Sequence, residues 1–339
     1  MFSEGNRMII DVHGHILDLA YRSNKQLNSS LGGVTDVPLM RVGGVTGQLC
    51  STWTPNIALS GPHSHSVEAP LRTLLGIIDY LHRELCGPAG TDVRLARTTA
   101  DLKAAAYEGR VALIVGMEGT DALGGDSSVL RILHRLGLRH VGLVHEHANE
   151  FGAASQVWEK GRMRPYDGAK DPEGHLSDRG RTLLDEMCQL GILVDLTHLV
   201  EPAFWEVLDF IKRPSLVSHG GARGLTNSVR YLSDEQILAV AHSGGMIGAS
   251  PTPLGPSDER PGLPLLLDTI DYLVKLVGTD HVGIGTDFKD QLGYFPPPFA
   301  NTSGTPAVIR GLRDRGYDTA AINQIGGGNF LRIFEQVAG

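Results

Sequence analysis

Eight short apolar runs, rich in Val, Ile and Leu, alternate with helix-patterned segments along the 339 residues of this chain. They are MIIDV (8–12), VTGQLCSTW (45–53), VALIVGM (111–117), HVGLVH (140–145), ILVDLT (192–197), PSLVSH (214–219), GMIGAS (245–250) and HVGIGT (281–286). Apolar runs of this length, bounded by turn-forming residues, read as buried strands. The intervening segments have recognisable starts. SDRGRTLLDEMCQL (177–190) opens on Ser177 as an N-cap, and SDEQILAVAH (233–242) on a Ser-x-x-Gln capping box. VEAPLRTLLGIIDYLHREL (67–85), LPLLLDTIDYLVKLV (263–277) and NFLRIFEQV (329–337) carry apolar residues at helical spacing. Eight buried strands alternating with helices predict a (β/α)8 TIM-type barrel, with residues 1–339 as a single domain. A doubly wound open sheet is the structural alternative, and it would gather its site at one switch-point crevice.

Six polar residues end five of these runs: His13 and His15 in DVHGH, Glu118 in VGMEG, His198 in VDLTH, His219 in LVSHG and Asp287 in GIGTDF. A buried strand that ends in His, Glu or Asp points a costly polar group at one rim, which core packing gives no reason to do. A metal site at the C-terminal mouth of a barrel does give one. Two residues apart on a strand, His13 and His15 share a face and suit one ion. A carboxylate at the centre of the mouth, Glu118, could bridge two cations roughly 3.5 Å apart. Neutral imidazoles at His198 and His219 suit zinc. Asp287 can take a proton from water and hand it to a leaving amine. A second His-x-His, His63 and His65, lies in SGPHSHS and reads as loop. His147 and Glu150 in HEHANEF either face the mouth or solvate a loop. The segments 23–38 and 290–306 read as long loops over the mouth.

A formal charge of −8 argues against nucleic acid or an anionic membrane as partner and leaves a small-molecule substrate. Three scattered cysteines, with no CxxC pair, fit a reducing compartment. MFSEGNR runs directly into the first strand without an apolar leader, and no stretch is long enough to span a membrane. Together these features predict a cytoplasmic location.

At the same residues the sequence resembles the membrane (renal-type) dipeptidase family, zinc peptidases of the amidohydrolase-like barrel group. GHLSDRGRTLLDEMCQLGILVDLTH (174–198), VSHGGARGLTNSVRYLSDEQI (217–237), VGIGTDF (282–288) and GGNFLRIFEQV (327–337) carry the likeness, which runs over nearly the whole chain. The resemblance implies a zinc-dependent hydrolase that cleaves dipeptides, or similar small carboxylate-bearing amides, by attack of a metal-bound hydroxide. It implies two zinc ions bridged by Glu118, one held by His13 and the residue at 15, the other by His198 and His219; a single ion is the alternative. It also implies that His145 supports the oxyanion, Arg230 holds the substrate carboxylate, Asp287 is the acid/base, and the protein is a homodimer. Three departures stand out. The family has Asp where this chain has His15, leaving the metal pair one charge more positive. Phe288-Lys289-Asp290 replaces the family's Phe-Asp-Gly, and GMIGASPTPLG (245–255) lacks its Asn-Phe-Tyr-like residues. The altered segment 245–255 motivates the alternative of a non-peptide amide, lactam or ester substrate. A non-catalytic metal-containing binding protein is the reading from another class, and Asp287 argues against it, because binding needs no proton carrier.

Overall fold

The computed structural model describes residues 8–53, 68–159, 162–167, 174–253, 261–289 and 293–339. Its strands are β1 (Ile10–Gly14), β2 (Gly47–Trp53), β3 (Val93–Leu95), β4 (Val111–Glu118), β5 (Leu138–Gly142), β6 (Gln156–Glu159), β7 (Arg162–Pro165), β8 (Leu193–Asp195), β9 (Leu216–Gly220), β10 (Met246–Ala249) and β11 (Val282–Ile284). Parallel pairing runs β2-β1-β11-β10-β9-β8-β5-β4, and β2 closes on β4 over seven residue pairs from Gly47↔Ala112 to Trp53↔Glu118. The result is the closed (β/α)8 barrel that the alternating runs predict, with all eight of those runs as its staves. β3 lies outside the ring on the lower half of β4. β6 and β7 form a separate antiparallel hairpin.

Strand alternation divides the apolar residues into two cores. In β4, Ala112 and Ile114 join an inner cluster with Ile10, Val12, Leu49, Leu193, Leu216 and Met246, while Leu113, Val115 and Met117 pack outward among the helices. The helix Asn329–Ala338 adds Phe330, Ile333 and Phe334 to the inner cluster, beside residues from the beginnings of the strands. The apolar plug therefore fills the N-terminal end of the barrel. By the same two-residue period Glu118, four residues on from Ile114, faces the axis at the opposite end.

The caps at Ser177 and Ser233 form as the sequence predicts, and Ser233 and Gln236 complete a capping box. The segment 23–38 is less irregular than predicted. Its end supplies Asp36 as N-cap of the helix Val37–Gly43, with Pro at the start of that helix. Among the described residues, no helix is long and apolar enough to cross a membrane.

Candidate metal centre and active site

The end of β1 is set by a buried carboxylate. Asp11 accepts from Thr286 N at 2.9 Å, from Thr286 Oγ1 at 2.7 Å and from Gln48 Nε2 at 2.9 Å, tying β1 to the strands on both sides. A Cβ at Gly14 would clash with the Gln48 side-chain amide, so the residue between the two histidines must be small. The β1–β2 register shifts between Asp11 and Gly14, and His15 leaves the strand at φ −120°, ψ 29° to cap the next helix. His13 and His15 nonetheless converge, with ring centroids 5.1 Å apart. His15 lies just past the strand, at the N-cap of the helix Ile16–Ser23, and not on the strand itself.

Glu118 lies at the centre of the mouth. Its Oε1 is 3.1 Å from His198 Nε2, 3.5 Å from His13 Nε2, 3.8 Å from His145 Nε2 and 4.0 Å from His219 Nε2, and its Oε2 is 3.8 Å from His15 Nε2. One carboxylate is thus shared by five imidazoles from four barrel strands or the loops that follow them. Burial opposes its charge, but His145, His13 and the hydrogen bond from His198 outweigh burial and hold its carboxyl well below the usual range. Burial, with Arg230 beside it, pushes His198 down to about 3, and burial holds His145 down at about 4 and His219 well below normal. A neutral imidazole keeps a lone pair on one ring nitrogen, which is what a cation requires.

Asp287 completes the ring from beyond β11, its Oδ1 3.1 Å from His15 Nε2 and 3.9 Å from His13 Nε2. Asp287 N donates to His13 O and His15 N to Phe288 O, locking the first strand to the last. His198 and Asp287 both take positive φ, 70° and 53°, in segments that leave β8 and β11. For residues other than glycine this costs roughly 1–3 kcal/mol each, and such strain concentrates at functional sites. Arg230, which could have been a surface guanidinium at a turn, is buried. Its Nη2 lies 3.2 Å from His219 Nε2 and 3.4 Å from His198 Nε2. Lys289 Nζ is 3.6 Å from Asp287 Oδ2 and adds a second cation at the rim.

Three overlapping sets have ligand atoms within 4.8 Å of one another: His13, His15 and Asp287; His13, Glu118 and His219; Glu118, His145 and His198. The residues fit a divalent metal. His13 Nε2 is buried without a hydrogen-bond partner, 3.5 Å from Glu118 Oε1 and 3.9 Å from Asp287 Oδ1. A lone pair facing anionic oxygens is repulsive unless a cation lies between them, and mixed imidazole and carboxylate donors suit zinc.

Of the residues singled out from sequence, His13, His15, Glu118, His145, His198, His219, Arg230 and Asp287 all come together here. His147 does not: its Nε2 pairs with Asp121 Oδ1 at 2.6 Å. Glu150 contributes its backbone oxygen to the Ser177 hydroxyl. His63 and His65 lie outside the described residues. Sequence reasoning missed Asp18, whose Oδ2 is 3.7 Å from His15 Nδ1 and accepts from Trp53 N. It also missed the polar layer beneath the ring: Ser51, His140, Asp195, Thr197 and Ser218. The only signal for that layer was Asp195 and Thr197 preceding His198 in VDLTH, where a buried run is interrupted by polar side chains.

The sequence profile of the membrane dipeptidase family (peptidase family M19) matches residues 6–339. Dipeptidase ataJ of Aspergillus terreus is 30% identical, over 97% of this chain and 84% of that protein. Dipeptidase aclJ of Aspergillus oryzae is also 30% identical, over 94% of this chain and 73% of that one. Among solved structures, a metallopeptidase from Rhodobacter sphaeroides, liganded with a phosphinate mimic of the dipeptide L-Ala-D-Ala, superposes with a TM-score of 0.85. It is 26% identical and covers 98% of this chain and 99% of its own.

Proposed function

This chain belongs to the membrane dipeptidase family, peptidase family M19, and from that premise we propose that it hydrolyses dipeptides, or similar small amides with a free carboxylate, with zinc as its metal. The observation that carries this reading is the convergence of five imidazoles on Glu118. His13 and His15 would hold one ion, His198 and His219 a second, and Glu118 would contact both. A divalent cation there supplies Lewis acidity toward the scissile carbonyl and lowers the pKa of water.

The rest of the work falls to this chain's own groups. Arg230 offers a planar fork of donors to the substrate carboxylate and so fixes where the amide lies. His145, neutral and packed edge-on against His198 with centroids 4.5 Å apart, presents Nε2 to the forming oxyanion. To stabilise that anion Nε2 must carry the proton. Asp287 takes a proton from the attacking water as the C–O bond forms, and returns it to nitrogen as the C–N bond breaks. Its carboxyl is held well below the usual range; burial opposes the charge, but Lys289, His15 and His219 outweigh it. Asp287 is therefore available as a base at neutral pH.

A second reading keeps this chemistry on a non-peptide amide, lactam or ester. It is favoured by Lys289, the rim cation where the family has Asp, and by the altered segment 245–255. The test is to strip the protein with a chelator, reload it with Zn2+, and assay dipeptides of both C-terminal configurations beside N-acyl amino acids, lactams and esters. Zinc-restored cleavage of dipeptides supports the proposal. Turnover of only the other substrates selects the second reading, and no turnover by zinc-loaded protein overturns both.

A further inference from the structure

Beneath the metal ligands a chain of buried groups runs from the acceptor-only carboxylate of Asp195 to two neighbouring histidines beside Glu118, His13 and His219, whose ring centroids are 3.9 Å apart. Asp195 Oδ2 meets His140 Nε2 at 2.9 Å. Asp195 Oδ1 lies 2.6 Å from Thr197 Oγ1 and also accepts from Thr197 N and Ser218 N. Thr197 Oγ1 is 2.9 Å from Ser218 N and 3.3 Å from Ser218 Oγ. Ser218 Oγ in turn lies 2.8 Å from His13 Nδ1 and 3.3 Å from His219 Nδ1.

Outward from Asp195, with each hydroxyl giving its one proton toward the carboxylate, the chain takes a single direction. An ionised carboxylate can only accept, so Thr197 gives it its single hydroxyl proton. The two lone pairs of Thr197 Oγ1 then receive the Ser218 N–H and the Ser218 O–H. Having spent its own proton, Ser218 Oγ has two lone pairs left, and two imidazole Nδ1 atoms beside it. Both Nδ1 atoms must carry hydrogen to bond there, and a neutral imidazole protonated at Nδ1 has its lone pair at Nε2. Both Nε2 atoms face Glu118.

We infer that Asp195, acting through Thr197 and Ser218, sets the tautomer of both His13 and His219 and so prepares one ligand for each half of the metal centre. Asp195, Thr197 and Ser218 are positioning residues, since they act through His13 and His219. Ser51 Oγ, 3.1 Å from His13 Nδ1, is a second acceptor on His13 alone. His219 therefore depends on the relay more strongly than His13 does. The inference rests on the metal-site reading above, but the tautomers exist before any metal binds and can be read without it.

The experiment is 15N–1H correlation of the imidazoles in metal-free protein labelled at histidine, with signals assigned through His13→Gln and His219→Gln. Both residues are expected as the Nδ1–H tautomer in the parent. Finding either as Nε2–H in the parent overturns the inference without any variant. Thr197→Val keeps the side-chain shape and removes the relay. His219 should then shift toward Nε2–H with His13 less affected, and Zn2+ affinity in a chelator competition should fall on the order of 10–100-fold, the usual effect of losing a group that orients a ligand. Thr197→Ser should restore both. An unchanged His219 tautomer in folded Thr197→Val protein would overturn the relay. Correct tautomers in a parent that takes up no Zn2+ would instead overturn the metal-site reading and leave the relay standing.

Discussion

His15 Nε2 and Asp287 Oδ1, 272 positions apart in sequence, lie 3.1 Å from one another across the seam where the first strand meets the last. That contact gives Asp287 two possible employments, since the same oxygen belongs to a set that could hold a cation with His13 and His15. The family resemblance makes it the proton carrier, and its low pKa keeps it ionised and so able to accept a proton.

The two roles separate on one substitution. Asp287→Asn keeps the shape and an acceptor oxygen but cannot take up the proton. With Asp287 as carrier, kcat should fall on the order of 10²-fold or more. Zinc content by atomic emission should stay near the parent value, because His13, His15 and Glu118 remain. Full activity with metal bound would exclude the proton-carrying role, and loss of zinc in step with activity would make Asp287 a ligand.

His15 also predicts a pH dependence in metal-free protein. Burial opposes its charge, but the carboxylates of Asp18 and Asp287 outweigh burial and push it up to about 10 from an ordinary 6.5. A histidine whose folded value is raised contributes stability that is fully present below pH 6.5 and is lost as pH rises through about 10. His145, at about 4, and His198, at about 3, act oppositely: below pH 6.5 the unfolded chain takes up protons that the folded one refuses, so stability falls on acidification. The Tm of chelator-treated protein should therefore decline on both sides of neutrality, and His15→Gln should flatten the alkaline limb alone. An alkaline limb that survives His15→Gln between pH 6.5 and about 9, below the range where the buried Cys50 and Tyr80 act, would show that His15 is not charged in the folded protein.

The barrel and most of its mouth were legible because both obey short-range rules. Each of the eight staves is an apolar run long enough to recognise, and each ligand stands at or just past the end of one. β3 escaped because three residues, Val93–Leu95, carry no periodic signal. The helix Val37–Gly43 was hidden behind a polar stretch whose last residue, Asp36, is its N-cap. His15 was identified for a reason the structure corrects: it is not on the strand face of His13 but one step beyond a register shift. Of the Asp195–Thr197–Ser218 layer only the polar pair Asp195 and Thr197 inside the apolar run before His198 gave a trace. Its members come from two separate runs whose register is set only by the β8–β9 pairing, and a Thr or Ser within an apolar run reads as ordinary strand composition.

Arg230 tests the substrate side of the proposal. Burial pulls its pKa down, but Glu118 and Asp287 act against that, and a guanidinium stays charged in any case. A buried cation 3.2 Å from His219 Nε2 and 3.4 Å from His198 Nε2 cannot be explained as a surface residue. It lies where it would compete with metal for those lone pairs, unless an anionic group on the substrate draws it away. A carboxylate held bidentately by Arg230 would do this and would place the neighbouring amide against the ring. Arg230→Met retains most of the apolar stem and removes the charge. KM for a dipeptide should then rise strongly, while the corresponding dipeptide amide, already a poor substrate for the parent, should lose little. Equal parent activity on the acid and its amide would sink the carboxylate-anchoring role and favour the non-peptide substrate.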